Sequence, residues 1–242
     1  MAGSAIVRPD FSLPEAVWRA HELAARDEAV LPSGLPALDA VLPGGGWPVG
    51  ALVELLQAVP HQQVWRLLAP VLARALAAQA GPVLLVAPPH PVFAPALAAQ
   101  GLPAGRLLWV RAEAPSARLW AAEQALRCTE VAAVLAWLPQ ARPADLRRLH
   151  LAAQPRRRLL FVMRPQAAAA QASPARLRLR VAGGAGASDS LQLDVLKRRG
   201  PPLAAPVCLP PWHGLLGQLL RARAGDPLPG RSHGLDRAAA FA

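Results

Sequence analysis

The chain has 242 residues, of which 53% are hydrophobic and 17% charged, enough for the core of one α/β domain with an extension. The net charge is +11, but residues 1–141 are close to neutral, whereas residues 142–242 hold 17 of the 26 basic residues and 5 of the 15 acidic ones. This asymmetry indicates an acidic partner, most often nucleic acid. GC-rich coding DNA is the alternative explanation; it accounts for Arg in place of Lys, but less well for the missing acids.

Several classes of protein are excluded by the patterning. The longest run without a charged residue, 75–105, is interrupted by proline and glycine and predicts no membrane span. The first residues lack the long apolar segment of a secretory signal. Cys128 and Cys208 are isolated from each other, which predicts a reducing, cytoplasmic location.

Residues 1–30 are predicted to form an N-terminal helical arm. Ser12 can cap a helix that has Pro14 in its first turn and extends to about Val30. Trp18 lies on its uneven apolar stripe. The sequence leaves two interpretations open: an arm for self-association or for a partner, or a helix that folds back on its own core.

Residues 31–76 are the stretch around which the rest is organised. A turn at Pro32–Gly34 and a short helix ending near Leu42 precede a glycine-rich segment, 44–50, that predicts a hairpin. An apolar strand, 51–56, follows, then a seven-residue loop, 57–63, and a helix from about Val64.

Strands and helices alternate at short spacing beyond this stretch. Apolar strands are predicted at 83–86, 107–110, 131–137 and 159–163, and helices at about 92–100, 117–127 and 144–153. Continuous apolar strands are typical of parallel sheets covered on both faces. The alternation therefore predicts a doubly wound, mainly parallel α/β sheet with right-handed crossovers, in a core at 31–203.

From Pro174 the pattern changes to a period of two. The apolar positions are Leu177, Leu179 and Val181, and between them stand Arg176, Arg178 and Arg180. A second run, 191–196, follows a glycine-rich loop, which predicts an antiparallel pair at a sheet edge. Arginines about 7 Å apart along one face match the spacing of phosphates on a nucleic-acid strand. The alternative is a solvated face that protects an edge strand.

Two other basic or apolar groups are candidates for binding. Arg156, Arg157 and Arg158 form either a phosphate patch or a solvated turn. Residues 204–242 are predicted to be a Pro/Arg-rich tail with one short helix, whose side chains would dock on a partner or on the core: Leu215, Leu216, Leu219 and Leu220. The six histidines show no metal-ligand spacing, and no hydrolase or metalloprotease motif is present.

The order of elements resembles the RecA superfamily, in which the loop after the first strand has the form G-x-x-x-x-G-K-[ST] and binds phosphate. Gln57 and Gln62 stand in place of its glycines, Gln63 in place of the lysine and Val64 in place of the hydroxyl residue. An amide supplies no point charge, and valine has no oxygen for a metal. The resemblance also implies acids after the strands at 83–86 and 131–137, where Pro88–Pro89 and Ala136–Trp137 stand instead. It therefore implies no bound nucleotide cofactor and no ATP hydrolysis.

Three strings carry a closer resemblance to the ImuA family: LPSG at 31–34 with Leu38–Asp39, LPGGGWP at 42–48, and LKRRGPP at 196–202. That resemblance implies a non-catalytic, RecA-like accessory protein of SOS-induced translesion DNA synthesis, acting with ImuB and a DnaE-type polymerase. In RecA filaments, basic residues at positions matching Lys197 and Arg199 reach a neighbour's nucleotide. Here these two residues, with Arg198, are candidates for contact with DNA or a partner.

Two alternatives remain at this point. The related cell-division inhibitor SulA, which binds FtsZ, has the same degenerate core, but SulA chains are shorter and have little counterpart to the basic C-terminal hundred residues. The other alternative is a divergent ATPase.

Overall fold

A computed structural model describes residues 29–58, 64–183 and 190–210. The strands are β1 Val30–Leu31, β2 Trp47–Pro48, β3 Ala51–Gln57, β4 Val83–Val86, β5 Leu107–Val110, β6 Ala133–Trp137, β7 Leu159–Pro165, β8 Leu177–Gly183, β9 Leu191–Lys197 and β10 Val207–Leu209. The α-helices are α1 Pro36–Asp39, α2 Val64–Ala78, α3 Ala94–Ala98, α4 Pro115–Arg127 and α5 Pro143–Ala153. The 3₁₀ helices are Pro43–Gly45, Ala104–Arg106 and Gln166–Ala170.

The centre of the fold is an eight-stranded sheet with the order β10-β9-β8-β3-β7-β6-β4-β5. Its pairings from β8 through β5 are all parallel, whereas β9 pairs antiparallel with both β8 and β10. The predicted class, an α/β protein with a mainly parallel sheet and antiparallel strands at one edge, is confirmed.

Helices cover both faces of this sheet, and each face has its own apolar core. Alternate strand residues such as Val53, Leu85 and Phe161 pack with α2 and α3 on one face. Their neighbours, such as Leu52 and Val134, pack with α4 and α5 on the other. This arrangement explains why the central strands are continuously apolar, since neither face of them contacts water.

The glycine-rich segment at 44–50 is not the hairpin that the sequence predicts. Instead β2 pairs with β1, which lies 16 residues earlier, with Leu31 opposite Trp47. Gly46 approaches this ribbon so closely that a Cβ atom on it would collide with the carbonyl oxygen of Leu31. Position 46 of the LPGGGWP string therefore requires glycine, because there is no space for a side chain.

The LPSG and Leu38–Asp39 strings belong to one buried turn. The Asp39 carboxylate accepts the Ser33 backbone N–H at 2.8 Å, and the Ser33 hydroxyl oxygen accepts the Leu35 N–H at 3.0 Å. Ser33 is fully buried, so this pairing satisfies a hydroxyl that could not otherwise be enclosed.

The predicted antiparallel pair is β8 with β9, and β8 is its inner strand, between β3 and β9. One boundary differs from the prediction. The tail was predicted to begin at 204, but β10 is the outermost strand of the sheet. The predicted short helix at 214–223 lies outside the described residues, and so does the predicted N-terminal arm apart from its last two residues, Ala29 and Val30. Val30 belongs to strand β1 rather than to a helix.

Candidate functional site: a cavity at the carboxyl edge and a basic opposite edge

A cavity of about 820 Å³ lies outside the carboxyl ends of five parallel strands, β3 to β7. After β4 the chain continues to β5, toward one edge of the sheet, whereas after β6 it continues to β7, toward the other edge. The connections that follow the neighbouring strands β4 and β6 therefore run in opposite directions. Doubly wound sheets bind their ligands at such a switch point. The cavity therefore occupies the position at which this class of fold forms a binding site.

The described lining of the cavity is mostly apolar, and a third of its residues are prolines. It includes Trp109, Trp137 and Met163 and the prolines Pro88, Pro89, Pro91, Pro139 and Pro165. Because proline has no backbone N–H, five of the lining residues cannot donate to a phosphate. Ala87 adopts a positive φ of 51°, an uncommon conformation for a residue other than glycine, and it turns the chain from β4 into the proline run.

Cations stand at the mouth of the cavity. Arg111, Arg118 and Glu113 line it, and the Arg118 Nε donates to the carbonyl oxygen of Ala112 at 2.9 Å. A second cavity of about 600 Å³ shares Glu113, Arg118 and Pro139 with the first and reaches the first turns of α4 and α5. The two cavities adjoin at these three residues, and we call them together the carboxyl-edge groove.

Beneath the cavity lies a buried cluster of three charged side chains. Glu54, in the middle of β3, is fully buried and accepts a hydrogen bond at 2.6 Å from each of two guanidinium groups, those of Arg164 and Arg178. Arg164 also donates to Ala141 O and Gln171 Oε1, and Arg178 to the carbonyl oxygens of Ala168, Ala169 and Gln171. The cluster holds the 3₁₀ helix after β7 against the sheet and fixes one wall of the cavity, since Arg164 also lines it.

The residues of the degenerate phosphate loop are partly described. Gln57 is buried at the end of β3 and lines the cavity, and Val64 is the buried first residue of α2. Gln62 and Gln63 lie outside the described residues. Pro88, Pro89 and Trp137, which stand where the resemblance implies acids, all line the cavity.

The structure does not form the exposed arginine row predicted along β8. Arg178 is buried, and its guanidinium is used by Glu54 and three backbone carbonyls, so its predicted contact with phosphate is wrong. Arg180 is half-buried and pairs with Asp194 at 3.4 Å. Arg176 alone of the three is exposed.

The two basic groups predicted separately lie at one edge of the sheet, the amino edge of the parallel strands. The Arg158 carbonyl accepts from Gly50 N–H at 2.9 Å, and the Arg176 N–H donates to Leu52 O at 3.1 Å, so both residues flank the start of β3. Lys197, opposite Arg178 in the register, brings the end of β9 to the same edge. We call Arg156, Arg157, Arg158, Arg176, Lys197 and Arg199 the basic edge.

Several cations of the basic edge also make contacts within the chain. Lys197 Nζ donates to Ser173 O at 2.8 Å, and Arg158 donates to Gln79 Oε1 at 2.7 Å and to Thr129 O. Burial, and then the charge of Arg156, lower the pKa of Arg158. Arg198, next to the edge, donates to Val41 O and Pro201 O, which positions its guanidinium over α1.

Sequence reasoning missed the groups at the cavity mouth. Trp109 lies on β5, the outermost strand on its side of the sheet, and is 42% exposed, whereas Trp137 on β6 is buried. The position of Arg111 directly after a predicted parallel strand was the available signal for a site residue. The partner candidates Trp18, Leu215, Leu216, Leu219 and Leu220 lie outside the described residues.

No helix within residues 29–58, 64–183 and 190–210 is long and apolar enough to span a membrane. Over the same ranges, no three His, Cys, Asp or Glu side chains are grouped to hold a metal ion.

Comparison with known proteins gives two groups of relatives. A family model described as cell division inhibitor SulA matches residues 50–159, from the start of β3 to the start of β7. Protein ImuA of two Caulobacter vibrioides strains is 36% identical over 138 residues, covering 52% of this chain and 54% of each relative. The chain thus spans about half the length of these ImuA relatives.

The second group is represented by the cell division inhibitor SulA of Edwardsiella piscicida, 33% identical over 119 residues. The match covers 49% of this chain and 71% of the relative. The match to ImuA agrees with the resemblance drawn from the LPSG, LPGGGWP and LKRRGPP strings, and the match to SulA agrees with the related family named beside it. The chain therefore belongs to the SulA family, and it is similar to ImuA over about half of each chain.

Proposed function

We propose that the chain is a non-catalytic, RecA-like accessory protein of DNA damage-induced mutagenesis, which contacts DNA through the basic edge and works with an ImuB-like protein and a DnaE-type polymerase. The observation that carries the proposal is the lining of the carboxyl-edge cavity. A triphosphate site requires backbone N–H groups, a lysine and a hydroxyl or carboxylate for magnesium. The described residues that line this site include no lysine, serine or threonine, and prolines, tryptophans and Gln57 stand there beside three arginines and Glu113.

The topology supports the RecA-like assignment. β3 lies between β7 and β8 in the sheet, and the predicted phosphate loop follows it directly at the carboxyl edge, before α2. Nucleotide-binding relatives of this class carry their intact phosphate loop at the same point in the order of elements, and this agreement supports the proposal. The similarity to ImuA supports the role in mutagenesis.

The basic edge supports contact with DNA. Its residues come from three segments: the turn before β7, the start of β8 and the end of β9. These strands lie about 5 Å apart in the order β9, β8, β3, β7, so the cations span about 15 Å of the sheet edge, or two to three phosphates of one strand. Contacts of this kind are independent of sequence and weaken steeply with salt.

Combined reversal of Arg156, Arg176 and Arg199 to Glu is expected to weaken binding to a labelled duplex of mixed sequence on the order of 100-fold at low salt. The slope of log affinity against log salt should fall by about three, one for each contact removed. Fluorescence anisotropy over a salt series measures both. Arg111→Glu, at the opposite edge, is the matched control; an equal loss from it, or unchanged affinity of the triple variant, would contradict the assignment.

A division inhibitor of the SulA type is the second candidate. Both the family model and the relative that is covered over 71% of its length favour it. Overproduction in undamaged cells discriminates the two roles, since an inhibitor of division produces filaments and an accessory protein of mutagenesis does not.

A further inference from the structure

We infer that the carboxyl-edge groove binds an extended peptide segment of a partner protein, one that carries a large apolar side chain next to carboxylates. This inference goes beyond the proposed function. It concerns the edge of the sheet opposite the basic edge and does not depend on contact with DNA.

The shape of the groove favours an extended chain over a compact small molecule. The first cavity alone, about 820 Å³, is near the upper end of the range for small-molecule sites. The second, about 600 Å³, continues it past Arg118 and Pro139 toward α5. A peptide in extended conformation can occupy both parts, because its length grows by about 3.3 Å per residue.

The lining determines the apolar anchor. Trp109, Trp137 and Met163 project from the ends of three strands into the first cavity, and the prolines around them offer no backbone donors. A polar or phosphorylated group placed against these side chains would lose hydration and would gain no hydrogen bond from the prolines. A leucine, methionine or aromatic side chain suits such a lining, and partly exposed tryptophan is a typical anchor of protein interfaces.

The charges determine the flanking residues. Arg111 lines the first cavity, and Arg118 and Glu113 line both cavities, whereas Arg164 is already paired with Glu54. Arg142 and Asp145 line the second cavity only. The first turn of α4, at the edge of the second cavity, contains no acidic side chain and its N-cap makes no side-chain hydrogen bond. Carboxylates of the peptide would be stabilised by the guanidinium groups of Arg111 and Arg118 and by the positive end of this helix.

Single-stranded nucleic acid fits the groove less well. Base stacking on Trp109 would be available, but a nucleic-acid strand needs a row of cations along its backbone. Besides Arg164, which is paired with Glu54, the groove has Arg111, Arg118 and Arg142, and these stand with two carboxylates, Glu113 and Asp145. A peptide uses the apolar cavity together with Arg111 and Arg118.

The test is selection of a random peptide library, displayed on phage, against the full chain. The binding of the selected peptides, made with a fluorescent label, is then measured. We expect the enriched sequences to share a large apolar residue flanked by Asp or Glu. We expect their affinity to fall at least about tenfold in Trp109→Ala and in Arg111→Glu, and to recover in Arg111→Lys, because the interface anchors are tryptophan and arginine.

Two variants serve as controls for these changes. Trp120→Ala removes a tryptophan that is 62% exposed on α4 and does not line the groove, and Arg156→Glu reverses a charge at the other edge. Both should leave the affinity unchanged. Absence of enrichment, enriched peptides without carboxylates, equal losses in the controls, or displacement by single-stranded DNA at equal concentration would overturn the inference. Arg111 is exposed, so its variants do not depend on repacking of the core.

Discussion

Replacement of Glu54 by alanine is expected to lower the free energy of unfolding by about 3–5 kcal/mol, the range for removal of one partner from a buried ion pair. The substitution would leave the Arg164 and Arg178 guanidinium groups without their counter-ion, although both side chains are at least nine-tenths buried. A guanidinium charge left without its counter-ion in this buried position is not solvated by water. The neutral groups that accept its remaining hydrogen bonds do not neutralise the charge.

Urea unfolding of the full chain, followed by circular dichroism, measures the loss. Glu123→Ala is the matched control, because the Glu123 carboxylate also bridges two arginines, Arg127 and Arg148, but their side chains are 64% and 52% exposed. Water can solvate those guanidinium groups after the substitution, so a loss of about 1 kcal/mol is expected. Equal losses for the two variants would show that burial of the Glu54 cluster does not have the energetic role given to it.

Replacement of Gly81 by alanine is expected to be the second large effect, a destabilisation of about 3 kcal/mol or more, at the upper end for overpacking. Gly81 lies in the turn before β4, and a Cβ atom there would overlap the carbonyl oxygen of Glu130, just before β6. Its backbone does not have a positive φ, so the cost comes from lack of space alone. The obstacle is backbone, so β4 and β6 would have to separate at their amino ends.

Gly105→Ala isolates this steric cause. A Cβ atom on Gly105 would meet no atom within 4 Å, and its backbone also lacks a positive φ. Removal of glycine flexibility from the unfolded chain should make this variant neutral or more stable by up to about 1 kcal/mol. Thermal unfolding of both variants under one set of conditions gives the comparison, and a loss in Gly105→Ala similar to that in Gly81→Ala would exclude the steric explanation.

The order of elements could be predicted from the sequence, because proline, glycine or polar residues bound the apolar runs that form the strands. The strands at 83–86 and 107–110 agree with the structure residue for residue. The helix predicted at 92–100 is only Ala94–Ala98, since Pro91 and Pro95 delay its start and Gly101, with φ 83°, ends it. Local chemistry fixes such boundaries, so a sequence contains them.

The environment of β8 could not be obtained in this way. Alternation of leucine and arginine shows that a strand has two different faces, but not that an acid from another strand lies opposite one arginine. Glu54 was the complementary signal. A carboxylate within the apolar run ALVELLQ requires a buried cation, and Arg178 and Arg164 are on the strands on either side of β3. The register between strands decides the pairing, and it arises only in the folded sheet.

The basic edge and the groove also depend on the arrangement of strands in the folded sheet rather than on local residue patterns. Arg156–Arg158 and Arg176 are about twenty residues apart in sequence, and only the parallel pairing of β3 with both β7 and β8 brings them to one edge. The exposure of Trp109 depends on the position of β5 at the end of the sheet order. Strand order is a property of the whole topology, whereas the residue pattern of one strand is local.

Equilibrium dialysis of the full chain against labelled ATP with Mg²⁺ tests most directly whether the carboxyl edge retains the form of a nucleotide site without the groups that hold a triphosphate. We expect no saturable binding up to about 1 mM, because the described lining of the cavity contains no lysine, serine or threonine and its five prolines donate no backbone N–H to a phosphate. Saturable binding tighter than about 100 μM, lost in Arg111→Glu and kept in Arg156→Glu, would contradict that claim.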